Sequence, residues 1–363
     1  MKVLFQLNHP AHYHLVKNSI RYLKHNGHDV QILARGKDVL KDLLQGEKYS
    51  MLSTKKGLNI FEKIRKMEDA RAEIIKFVDK SKPDIVVGTG TFSYITRKLN
   101  IPTVFLVEDE ANLNLPIFIG ALSCYFSFSE ILSPEVCYNS LWDKKSLKYN
   151  SYHELAYLHP NHFTPDIQVV ENYFPTDNPY FIIRFAKLNA YHDIGIKGIN
   201  TVIAQNIIDI LKPHGDIYIT SERELEPQFE RYRIKINPLD MHHVMAFAQI
   251  YIGDSQTMAA ESGVLGVPFV RFNDFVGRIG YLNELEDVYK LGYGIKTNEL
   301  EKLYSTIREL INMKDRTAIF AERRAKMLSE KIDYAQFLTW FIENYPESAR
   351  IMKENPDYQY RFK

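Results

Sequence analysis

Short apolar runs alternate with amphipathic stretches along most of the chain. Lys2–Leu7 reads KVLFQL, apolar at nearly every position, the pattern of a strand buried on both faces. Behind it, HLVKNSIRYLKHNG carries apolar residues at helical spacing, and Gly27 stands where a C-terminal cap belongs. A second strand is predicted at His28–Ala34, with helical stretches over Lys37–Leu44 and Ile60–Lys80. Pro83–Gly90 is a strand ending in glycines, and Ile101–Glu110 is another. Such alternation implies right-handed crossovers and a parallel, doubly wound sheet.

Leu158–Tyr180 is richer in Pro and Asn and reads as a connection between domains. A second alternation follows it. Tyr180–Phe185 is a predicted strand, Gly198–Leu211 a helix and Asp216–Ser221 a strand. MHHVMAFAQ is a helix, Ile250–Ser255 a strand, Thr257–Gly266 a helix and PFVRF a strand. The final stretch, FLTWFIENYPESARIMKENPDYQYRFK, begins as an aromatic helix. The expected division is residues 1–165 and 166–335 as two similar α/β domains, with 336–363 as a C-terminal tail. In open parallel sheets ligands bind beyond the carboxyl ends of strands, so the loops there hold the candidate chemistry.

Composition narrows the picture. A length of 363 residues exceeds one typical core, in keeping with two domains. Lys plus Arg number 46 against 45 acids, so no basic field argues for a nucleic-acid partner and any anion site is local. Cys124 and Cys137 show no metal-type pairing, which points to a reducing compartment without disulfides. The start, MKVLFQLNHPAHYH, turns polar too early for a signal peptide. No apolar stretch approaches the roughly 20 residues that span a bilayer. A cytoplasmic protein is expected, with at most peripheral contact at the inner face of the membrane.

The most informative segment is GDSQTMAAESGVLGVPFVRF, from Gly253 to Phe272. A helix start has unpaired N–H groups and the positive end of the macrodipole, which suits an anion. Ser255, Gln256 and Thr257 stand at that start. Glu261 follows one turn after Thr257 on the same face, where a carboxylate can take both hydroxyls of a ribose. The plainer reading is a capped helix with a surface Glu.

Other strand ends carry further candidates. NHPAHYH (Asn8–His14) places three histidines after the first strand; they suit proton transfer, capping or packing, and their spacing fits no common zinc pattern. VEDEAN puts Glu108, Asp109 and Glu110 at the end of an apolar run, either as a solvated loop or as a base and hydroxyl-binding group. Arg184 ends the first strand of the second domain, and its planar guanidinium can hold two phosphate oxygens. Ser221 ends the next strand. His242 and His243 suit either packing or a nucleotide base. Arg278, in NDFVGR, suits a sugar or phosphate contact or a plain surface position.

GDSQTMAAESGVLGVPFVR resembles the donor-site segment of GT-B fold glycosyltransferases and of the related UDP-N-acetylglucosamine 2-epimerases. Through HPAHYHLVKNSIRYLKHNGHDV, YHELAYLHPNHFTPD, FIIRFAKLNAYHDIGIKGI and NDFVGRIGYLNELEDVYKLG, the whole chain is similar to a poorly characterised prokaryotic family of that superfamily. The resemblance implies an α/β, GT-B type fold of two doubly wound Rossmann-like domains facing a central cleft. It also implies that the C-terminal helix crosses back to the first domain. Ser255, Gln256 and Thr257 would then hold a diphosphate and Glu261 the ribose. Arg184 would meet the diphosphate, with Ser221 and His242 near the nucleotide. His12 matches the histidine at the helix entry of the first loop, facing an acceptor, though the loop lacks the usual glycines; Asp109 or Glu110 is the alternative base.

The implied activity is metal-independent, cofactor-free transfer of a sugar from a nucleotide sugar, UDP-linked by resemblance, to a glycan or lipid-linked acceptor, as in polysaccharide biosynthesis. Epimerisation is the alternative. Two departures count against it: Gly88, Thr89 and Gly90 stand where those epimerases carry an acid, and RFAKLNAYHD replaces their His-Arg-Glu-Asn. A third reading is a nucleotide-sugar binder without catalysis.

Overall fold

The structure is a computed structural model, and it describes residues 1–35, 38–52, 72–89, 100–107, 129–137, 145–186 and 198–363. These residues form two compact units. One holds the described residues up to Tyr157 together with Ile332–Lys363, and the other holds those from Leu158 to Lys331.

The first unit is built on seven strands: β1 (Lys2–Leu7), β2 (Asp29–Arg35), β3 (Tyr49–Leu52), β4 (Ile85–Gly88), β5 (Thr103–Leu106), β6 (Glu130–Pro134) and β7 (Ser146–Tyr149). All pair in parallel, in the order β3-β2-β1-β4-β5-β6-β7. The near-continuous apolar run of β1 is explained by its central place, since Val3, Leu4, Phe5 and Leu7 are all buried. Helix α1 (Pro10–His25) opens with Pro10 in its first turn and His9 as N-cap, and it buries Leu15, Val16, Ile20 and Leu23. Gly27 follows at φ +84°, the left-handed conformation its place in the sequence suggests.

The chain leaves this unit after Tyr157 and rejoins it at Ile332, whose amide donates to Asn150 O beside the end of β7. Helix Tyr334–Glu343 then lies against α1, where Ser19 Oγ donates to Ala335 O at 3.1 Å. Tyr149 and Tyr334 bring their ring centroids to 4.5 Å within the core.

The second unit has five parallel strands: β8 (Tyr180–Phe185), β9 (Asp216–Ser221), β10 (Tyr251–Gly253), β11 (Phe269–Phe272) and β12 (Gly292–Ile295), in the order β12-β11-β10-β8-β9. Three of its helices matter for the site: α2 (Thr201–Leu211), α3 (Met241–Ala246) and α4 (Gln256–Leu265). Among the described residues, no helix is long and apolar enough to cross a membrane.

The pattern missed β3, β6, β7 and β12. Each mixes polar residues or glycine into its few positions, as YSML, EILSP, SLKY and GYGI, whereas the equally short β4, β5 and β11 are mostly apolar. Part of the predicted Ile60–Lys80 helix is present over 72–81; the rest of that stretch lies outside the described residues.

Both sheets reverse direction of growth once. In the first unit the reversal lies between β1 and β4, and in the second between β8 and β10. Such switch points leave a crevice at the carboxyl ends of the two central strands. The candidate residues cluster at these two places.

Candidate functional site

In the second unit, β10 delivers the chain to Asp254 and Ser255. Ser255 is the N-cap of α4, its Oγ accepting from Met258 N at 3.4 Å, so Gln256 rather than Thr257 is the first helical residue. Ala259, Ala260, Ser262 and Gly263 make α4 slim enough to be buried along most of its length. A β-carbon on Gly263 would lie 2.8 Å from the Phe269 ring, which shows how closely α4 sits on β11. Gly266 ends α4 at φ +83°.

Asp254 is 1% exposed and holds two backbone amides. Its Oδ1 accepts from Ala186 N at 2.6 Å and its Oδ2 from Ile199 N at 3.3 Å. The carboxylate thereby joins the end of β8 to the approach to α2, on either side of 187–197. Burial pushes its pKa up to about 6 against the pull of those amides and of Arg223.

Glu261 is 6% exposed, not a surface residue. His242 Nε2, on α3, sits 2.9 Å from its Oε1. Phe163 meets His242 edge-on, with ring centroids 6.1 Å apart. The structure thus brings His242 and Glu261 together, a pairing the sequence did not reveal. His243 has a separate place, its Nδ1 accepting from Asp166 N at 3.0 Å.

Several donors at this edge have no partner among the described residues. Arg184 ion-pairs with Glu222 through Nη2, but its Nε is buried and unpartnered. Arg223 packs its guanidinium over Phe185 and donates from Nη2 to Ile199 O, and its Nε is likewise unpartnered. Gln256 Nε2 and Thr220 Oγ1 complete the group. Three of these four atoms can only donate. Buried donors ordinarily find acceptors, and leaving one unmet costs about 1–3 kcal/mol. These atoms belong to residues at the carboxyl ends of β8 and β9 and at the start of α4. Tyr251 lies alongside: its phenol oxygen is 2.6 Å from where a β-carbon on Gly253 would stand, and burial holds its pKa well above the ordinary value.

The remaining candidates of this unit fare differently. Ser221 Oγ donates to Arg223 O and accepts from Arg223 N, so its hydroxyl closes a local turn. Thr257 is half-buried in the first turn of α4. Arg278 is exposed, which matches the plain surface reading.

In the first unit, each of the three histidines has its own setting. His9 caps α1 through Nδ1, accepting from Ala11 N at 3.3 Å. His14 lies against the Tyr157 ring, centroids 5.2 Å apart. His12 is 8% exposed; Asn8 N donates to its Nδ1 at 3.1 Å, and Thr89 Oγ1 stands 2.6 Å from the same nitrogen. A ring that accepts on Nδ1 carries its neutral-form proton on Nε2, so this arrangement presents His12 as a donor. Gly88 precedes Thr89 where a β-carbon would come within 2.8 Å of Gln6 O. Glu108, Asp109 and Glu110, together with Gly90, lie outside the described residues.

Sequence reasoning passed over Asp254, Arg223, Asn273, Glu286 and above all Arg271. A lone Arg within PFVRF looks like an outward-facing strand residue, yet its side chain is 0% exposed. Only the strand's near-complete burial could have flagged it.

Residues 1–330 match the model of a family described as a protein of unknown function, DUF354. The chain belongs to the DUF354 family. No curated protein matches this DUF354 sequence. Its fold has close counterparts among solved structures. UDP-GlcNAc 2-epimerase from Neisseria meningitidis, bound to UDP-GlcNAc, superposes with a TM-score of 0.64 at 17% identity, covering 96% of this chain and 100% of its own. MnaA of S. aureus, solved with UDP, gives 0.65 at 12% identity, covering 96% and 97%. The spinosyn rhamnosyltransferase SpnG, complexed with spinosyn aglycone, gives 0.59 at 13% identity, covering 95% and 100%. This DUF354 member therefore has an α/β, GT-B type fold, as the sequence resemblance implied.

Proposed function

We propose that this protein is a glycosyltransferase that takes a sugar from a nucleotide-sugar donor, UDP-linked, and passes it to a glycan or lipid-linked acceptor. The observation that carries the donor half is the gathering of unpartnered donors from Arg184, Arg223 and Gln256 at the N-terminal end of α4. Charge accumulates on the diphosphate as the sugar leaves, and fixed donors in a buried setting stabilise it without a metal ion. Glu261, held by His242, is the ribose ligand in this reading. The solved structures with UDP-GlcNAc, UDP and thymidine diphosphate in similar folds support a nucleotide ligand.

His12 is the proton-handling residue of the first unit. To act as a base toward an acceptor hydroxyl it must release the Asn8 amide from Nδ1. Asp109 and Glu110 remain the alternative bases. Peripheral attachment to a membrane and a role in polysaccharide assembly belong to the same proposal.

Epimerisation of the sugar is the second reading, supported by the UDP-GlcNAc 2-epimerases of N. meningitidis and Methanocaldococcus jannaschii, which share the fold at TM-scores of 0.64 and 0.60. A panel of nucleotide sugars, incubated with and without candidate acceptors and resolved by mass spectrometry and NMR, separates the two. Transfer requires an acceptor and releases nucleoside diphosphate; epimerisation requires none and changes only a stereocentre. His12→Ala is expected to lower turnover about a hundredfold while UDP affinity stays put. No product under any condition, with UDP bound normally, would leave a binding protein instead.

A further inference from the structure

Arg271 buries a guanidinium on β11, one strand in from the edge of the sheet, and its Nη2 has no hydrogen-bond partner among the described residues. Its Nε donates to Glu286 Oε1 at 2.9 Å, and its Nη2 lies 2.8 Å from the same oxygen. Glu286 belongs to a wide helical turn, Glu284–Val288, of π type, a form often found beside functional sites. Burial pushes the Glu286 carboxyl pKa up while the guanidinium pulls it back. Gly294 on β12 leaves the room: a β-carbon there would lie 2.3 Å from Glu286 Oε2.

The other arm of Arg271 points toward α4. Nη1 donates to Gln256 Oε1 at 2.9 Å. Asn273 Nδ2 approaches that oxygen at 3.3 Å and also donates to Asp254 O at 3.1 Å, while Asn273 Oδ1 accepts from Phe275 N. A guanidinium can only donate. The Gln256 atom facing it is therefore the oxygen, which settles the orientation of an amide that geometry alone leaves ambiguous. Gln256 Nε2 must then face the other way, and it is buried without a partner among the described residues.

We infer that Arg271 is a positioning residue for the anion site: with Glu286 as its counter-ion and Asn273 beside it, it fixes the Gln256 amide so that Nε2 is a preset donor to the diphosphate. This rests on reading the start of α4 as the diphosphate site. A freely rotating glutamine would present its oxygen to the phosphate as readily as its nitrogen. Locking the oxygen inward removes the repulsive orientation, so the donor is preorganised before the ligand arrives.

The test uses the full chain, with UDP and uridine as probes in calorimetric titration. Arg271→Met combined with Glu286→Leu replaces the ion pair by apolar groups of similar volume, a change folded proteins often accept. UDP should bind about tenfold more weakly to this variant, with uridine affinity unchanged. Gln256→Glu supplies an independent measure. Its carboxylate suits Arg271, so thermal stability should hold or rise, while repulsion of the diphosphate should weaken UDP binding about a hundredfold. Should the paired variant fail to fold, Arg271→Lys, which keeps the charge but loses the planar fork that fixes the amide, is titrated in its place, with the same loss for UDP and none for uridine expected. Unchanged UDP affinity in either folded variant overturns the positioning role, as does an equal loss for uridine. If the wild-type protein binds no UDP, the diphosphate site itself falls.

Discussion

Asp254 shows how one side chain ties the site to the conditions around it. Its pKa in the folded protein, about 6, lies above its ordinary value of 3.8 because burial disfavours the carboxylate. A raised folded pKa means the folded state binds the proton more tightly than the unfolded chain does. The associated stability is complete below about pH 4 and is lost as pH rises toward 6. Against an Asp254→Asn variant measured in parallel, wild-type unfolding free energy should fall by roughly 1–3 kcal/mol over that interval. Chemical denaturation at closely spaced pH values reads this directly, and a flat difference would remove Asp254 as its source. Glu261 is the second test at this scale. Glu261→Ala should weaken UDP binding about tenfold or more, since a buried carboxylate accepting hydroxyls contributes about 1.5–3 kcal/mol. The fold should persist, because His242 also packs edge-on against Phe163. The helix start at Ser255 and Gln256 was legible in the sequence, where a capping residue follows a short apolar strand. Asp254, Arg271 and Glu286 were not, because their roles depend on partners many residues away: Ala186, Gln256 and each other.

At the scale of elements, α4 carries both the site and its own limits. Its start is capped by Ser255 and its end by Gly266, and nearly every residue of it is buried. Gly266→Ala should destabilise the protein by about 1–2 kcal/mol, because φ +83° is unfavourable for alanine and the added carbon would lie 2.8 Å from Arg324 Cδ. A lowered Tm with unaltered UDP affinity is the expected signature, since the change is at the far end of the helix from the proposed ligand. The long elements of this fold announced themselves: α1, β1, β8 and α2 each have enough residues for a period to show. The short strands β3, β6, β7 and β12 did not. They are held by their neighbours in the sheet rather than by their own pattern.

For the whole molecule, the informative fact is the path of the chain. The unit begun by β1 is completed by residues from Ile332 onward, which lay Tyr334, Phe337 and Phe341 into its core. Ending the chain at Lys331 should therefore unmask Tyr149 and the buried face of α1, lowering the Tm of the first unit or making the product insoluble. Residues 158–331, expressed alone, should give a folded five-stranded unit that still binds UDP; circular dichroism and titration check both. The alternation of strands and helices made the doubly wound class plain, and the resemblance made the GT-B type plain. The exit after Tyr157 was foreshadowed by the Pro- and Asn-rich connection from Leu158 onward, whereas the return at Ile332 had no signal in hydrophobic periodicity, because Ile332 and Tyr334 are apolar like the core of either unit.

That return has a consequence for biosynthesis. On the ribosome, the sheet begun by β1 is made before the intervening unit but lacks helix Tyr334–Glu343 until that unit is complete. The usual order of domain maturation is thereby inverted. Whatever holds the half-finished first unit soluble during that wait, a chaperone or its own slow collapse, becomes a determinant of yield.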